Sequence, residues 1–133
     1  MEDGMGSVTT TWRRSTWMRL GALSGAMSVL VWLVANLAPL DPDLAASLRL
    51  GAQIQFMHGM ATFACATFMN IGAHAARYAP ACFLGGILGF SFPVYAVALG
   101  MPAGVAMIEP AGIAALVAGW LILAWSAGTI DRG

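Results

Sequence analysis

Four apolar runs follow one another along the chain, at about 17–38, 50–72, 80–99 and 110–130, separated by short polar or proline-bearing breaks. A helix rises 1.5 Å per residue, so each run spans about 30 Å, the thickness of a bilayer's hydrocarbon core. The pattern predicts four transmembrane helices behind a polar tail at 1–16. The second run is the odd one. It carries no charge, yet Gln53, Gln55, His58, Thr62 and Asn70 lie within it. Gln55, His58, Thr62, Cys65 and Met69 recur at intervals of three and four, which places them on one helical face. Polar groups are costly in hydrocarbon, so this helix is expected to be covered by the other three.

The other runs add packing signals. Gly21 and Gly25 in the first helix, and Gly85 and Gly89 in the third, have the GxxxG spacing that lets helices approach closely. Gly112 and Gly119 are the corresponding small positions of the fourth helix, with Ala114, Ala115 and Ala118 beside them. Pro93 predicts a kink in the third helix, and Ser91 and Tyr95 share one of its faces. Pro39, Asp41, Pro42 and Asp43 read as a polar turn. Arg13 and Arg14 before an apolar run resemble an export signal, but Ser15, Thr16 and the length of the run fit a retained helix better.

Composition sharpens the class. Of 133 residues, 59% are hydrophobic and 9% are charged, against about 25% charged in an average chain. Mean hydropathy is +0.78. Too few charges are present to coat a soluble domain. The formal net charge is zero and every cation is an arginine, which speaks against nucleic acid and against a polybasic lipid-binding segment. Cys65 and Cys82 lie in apolar runs without metal-ligand spacing and read as small buried side chains. Arg13, Arg14, Arg19, Arg77 and Arg132 fall on one side of a four-span topology and Arg49 on the other. The positive-inside rule then predicts both termini in the cytoplasm.

Three segments carry a likeness to a known family. Gly51, Gln55 and His58 stand in the second helix, Gly86, Phe90-Ser91 and Tyr95 in the third, and Pro110, Gly112 and Gly119-Trp120 in the fourth. Together they resemble the small four-helix membrane proteins grouped as domain of unknown function 423, over roughly 20–130. The resemblance implies a four-helix membrane fold and no particular activity. Two segments depart from it. The family's first helix carries a Gly-Ala-x-Gly-Ala-His run where this chain reads Val31 to Ala38 without glycine or histidine. Its Phe-Ser-Gly-Ser motif is Phe90-Ser91-Phe92-Pro93 here.

The candidate site is a polar intramembrane cluster of Gln55, His58, Ser91 and Tyr95, which lie at similar depths in their helices, with Trp120 near that level. One reading makes it interhelical glue. Another makes His58 the titratable group of a small transporter or channel. No carboxylate lies within a span to partner His58, and no Ser-His-Asp set, phosphate loop or HExxH is present. His74 falls near the opposite membrane face from His58, which disfavours a shared metal or haem. The expectation is an all-α, integral-membrane four-helix bundle in a bacterial inner membrane, with no catalytic activity and no cofactor. It would serve as an accessory or structural subunit, with the lipid bilayer and a larger membrane complex as candidate partners and transport as the alternative.

Overall fold

In the computed structural model, residues 14–132 are described. Most of the expected tail, including Trp12 and Arg13, lies outside them. The chain is all-α. Four helices, α1 (Arg14–Leu37), α2 (Pro42–Asn70), α3 (Ala79–Ala98) and α4 (Glu109–Ala127), run alternately up and down. Single 3₁₀ segments, His74–Tyr78 and Ala103–Ile108, lead into α3 and α4. Three stretches are long and apolar enough to cross a membrane: Arg14–Leu37, His74–Ala98 and Ala103–Ala127. The α2 helix is longer but more polar, because Arg49, Gln53, Gln55, His58 and Asn70 lie along it.

The largest boundary difference is at the start of α2, expected near residue 50. The Asp41 side chain accepts from the backbone N–H groups of Asp43, at 2.9 Å, and Leu44, at 3.4 Å. Pro42 occupies the first helical turn, where its missing N–H costs nothing, and Asp43 is favoured there by the helix dipole. The residues read as a polar turn are thus an N-cap, and α2 gains two turns. It ends at Asn70, and two residues on, Gly72, with a φ of 102°, lets the chain reverse.

The helices pack in serpentine order. The α1 helix packs on α2, α2 on α3, and α3 on α4, whereas α2 and α4 touch at few positions. The α2 helix is therefore covered mainly by two neighbours rather than by three. Small residues explain the first seam. Gly21, Ser28 and Ala35 are buried at intervals of seven on α1, as are Ala45, Ala52, Gly59 and Ala66 on α2. A Cβ added at Gly21 would lie 2.8 Å from the Gly59 carbonyl oxygen. The same antiparallel register sets Ser28 level with Ala52 and Ala35 level with Ala45.

The α3–α4 seam alternates large with small. Buried Gly112, Leu116, Gly119, Leu123 and Ser126 recur at four and three on α4. Leu116 rests on Gly86 and the Phe83 ring on Gly119, while the Gly89 and Gly112 backbones meet directly. A Cβ at Gly25 or Gly85 would meet nothing within 4 Å, although the Gly25 backbone itself lies against Gly59, 3.4 Å from where a Cβ there would stand. The seam also passes beside the expected alanine face of α4: Ala114 is exposed, and Ala115 and Ala118 are half-buried. The α3 helix runs unbroken through Pro93. At the loop end, Ala73, Ala76, Ala79 and Phe83 join Cys65 in the main apolar core, and Ile130 packs against it.

Candidate functional site

Gln55 is the hub of the polar core. It is fully buried and sits where α1, α2 and α3 meet. Its Nε2 donates to the Ser24 carbonyl oxygen at 3.1 Å and lies 3.4 Å from the Ser24 hydroxyl. Its Oε1 accepts from the Tyr95 hydroxyl at 2.7 Å. One α2 side chain thus ties α1 to α3. A turn away, the buried Ser91 hydroxyl donates to the Gly51 carbonyl at 2.9 Å. Gly51 also makes room for Tyr95, because a Cβ there would lie 2.4 Å from the tyrosine ring. Gln55, Ser91 and Tyr95 therefore occupy one region between α2 and α3.

His58 is buried but faces a different direction. Its Nδ1 lies 2.7 Å from the Ile54 carbonyl oxygen. A carbonyl only accepts, so Nδ1 carries a proton in this bond. The ring packs against Phe83, with centroids 5.7 Å apart, and against Trp120 at 6.0 Å. It makes no hydrogen bond to Gln55, Ser91 or Tyr95. Instead it borders a shallow groove where α2 and α4 diverge, beside Phe90, Val117 and Trp120. Residues three apart differ by about 60° around a helix, enough to turn Gln55 toward α1 and α3 while His58 turns toward α3 and α4.

The rest of the α2 stripe satisfies itself locally. The Thr62 hydroxyl donates to the His58 carbonyl at 2.9 Å, and the Cys65 thiol to the Ala61 carbonyl at 3.1 Å. Met69 is half-buried, and Gln53 and Asn70 face outward. Arg14 donates to the Asn70 side chain across the α1–α2 seam. Cys65 and Cys82 are free thiols. Among the described residues, no three His, Cys, Asp or Glu side chains gather to hold a metal ion.

Two contributors escaped the sequence reading. Ser24 was hidden as a single hydroxyl in an apolar run, although its place four residues before Ser28 is a polar hint. Phe83 gave no signal, since an aromatic residue in an apolar helix reads as ordinary filler.

A family model described as protein of unknown function (DUF423) matches residues 21–112. The chain belongs to the DUF423 family. The match takes in Gln55, His58, Ser91 and Tyr95 and ends at Gly112, so Gly119-Trp120 lies beyond it. Comparison with curated proteins and with solved structures returns no match.

Proposed function

We propose that this DUF423 protein is a non-catalytic membrane protein, an accessory or structural subunit held against a larger membrane complex. In this reading all four helices cross a bacterial inner membrane. The end bearing Arg14, Arg19 and Arg77 faces the cytoplasm together with both termini. One observation carries the reading. The buried polar chain from Tyr95 through Gln55 to Ser24 ends on its own helices, as glue does. The outward faces agree with it: Leu23, Leu30 and Leu37 on α1 and Leu121 and Trp125 on α4 are apolar and exposed, fit for lipid or for a neighbouring helix. Purification of the tagged chain from its own membranes in mild detergent tests the role. A stoichiometric membrane partner is expected. A chain that migrates alone, with nothing retained, defeats the accessory role.

A second reading, a small carrier, draws on one feature. The His58 Nε2 has no hydrogen-bond partner among the described residues and borders the α2–α4 groove. Reconstituted vesicles assayed for proton flux separate the two. Flux that disappears in His58→Gln while the fold persists favours the carrier, and absence of flux in the parent chain favours the subunit.

A further inference from the structure

Another groove lies on the other side of α2, between it and α1. It encloses about 520 Å³ and has a polar end and an apolar body. Arg49 and Gln53 stand at the polar end, and Trp32 and Phe56 form the walls. Val29 and Phe56 are shared with a second groove of about 310 Å³ that continues along the same seam past Gly25 to Phe63. From the level of Arg49 to that of Phe63 is about 21 Å along α2, against about 15 Å for half a hydrocarbon core. The floor of this second groove is kept open by Gly25, where a Cβ would meet nothing within 4 Å, whereas a Cβ at Gly21 would run into Gly59.

The polar end is positively charged and incompletely satisfied. Arg49 donates to the Asn36 side chain at 3.4 Å and, among the described residues, pairs with no carboxylate. Gln53 is exposed, with no hydrogen-bond partner among them. We infer that this groove holds an anionic phospholipid, its phosphate against Arg49 and Gln53 and one acyl chain lying along the seam toward Gly25. Guanidinium suits phosphate because its planar donors pair with two oxygens at once. An apolar helix from a partner protein would fill the body but would cover the Arg49 charge without a counter-ion, which is unfavourable. The inference rests on the reading that α2 crosses the membrane.

Trp32 reports on the site. The full chain bearing W12F, W17F, W120F and W125F keeps Trp32 as its one indole. It is reconstituted in phosphatidylcholine vesicles doped with acyl-brominated phosphatidylglycerol or acyl-brominated phosphatidylcholine. Brominated phosphatidylglycerol is expected to quench Trp32 severalfold more per mole. Arg49→Gln should abolish that excess, Arg49→Lys should retain part of it, and Gly25→Leu should weaken it by filling the floor. Equal quenching by the two lipids, or an excess that survives Arg49→Gln in a chain of unchanged helicity, overturns the site. Flotation separates the two levels of failure. A chain that does not float with the vesicles overturns the membrane reading and the lipid with it, and one that floats but quenches equally overturns the lipid alone.

Discussion

The Tyr95 ring lies against the bare Cα of Gly51, and its hydroxyl passes that glycine to reach Gln55 one turn further along α2. The two residues are forty-four positions apart, and a side chain at Gly51 has no room while the tyrosine ring is in place. A methyl group at Gly51 would meet the ring at 2.4 Å. Gly51→Ala is therefore expected to displace Tyr95 and to cost about 1–3 kcal/mol, the range for overpacking a filled core. Unfolding in mixed detergent micelles measures it. Adding Tyr95→Ala should relieve the clash, so the double variant should lose less than the sum of the two single losses.

The hydrogen bonds of Gln55 are unequal in consequence. Tyr95→Phe removes one bond and leaves Gln55 held by Ser24, a loss of about 0.6 kcal/mol and at most about 1.7. Gln55→Leu removes both links and strands the Tyr95 hydroxyl, which raises the cost to about 1–3 kcal/mol. The same micelle titration ranks them. Equal losses in the two variants would show that Gln55 is not the hub.

Glycines on α3 and α4 separate into those that touch and those that do not. At Gly112 a Cβ would fall 2.5 Å from the Gly89 carbonyl carbon, and backbone does not yield as a side chain does. Gly112→Ala is expected to part the two helices at a cost of about 1–3 kcal/mol or more. Gly85→Ala adds a methyl group in open space and should stay within about 0.5 kcal/mol of the parent. Comparable destabilisation by both would contradict the packing of this seam.

Sidedness tests the topology. In a chain with Cys65→Ala and Cys82→Ala, single cysteines placed at Ser7 and at Gly104 should label from opposite faces of the membrane with an impermeant maleimide. Labelling of both from the same face removes at least one crossing.

Much of this architecture could be read from residue spacing, and the exceptions have physical causes. Four apolar runs of bilayer length were enough to place four helices, and the grouping of Gln55 with Ser91 and Tyr95 followed from matched depth. The direction of His58 did not follow, because depth fixes level along a helix and says nothing about which neighbour stands at that azimuth. Gly21 and Gly25 both lie against Gly59, but that pair is one part of a longer pattern. The α1–α2 seam repeats every seven residues, through Gly21, Ser28 and Ala35, and serine and alanine are too common in apolar runs to stand out. The start of α2 was hidden for another reason: Asp-Pro-Asp serves equally well as a turn and as a capped first turn, and only backbone geometry distinguishes them.

The serpentine order of the helices bears on how the protein comes into being. Each new helix packs on the one made just before it, so the three main seams close between successive helices. None of the three has to wait for a distant segment to arrive. A polypeptide severed at the Gly72 reversal would leave two self-contained hairpins, and the Tyr95–Gln55 and Ser91–Gly51 bonds would be the clasp by which they find one another again.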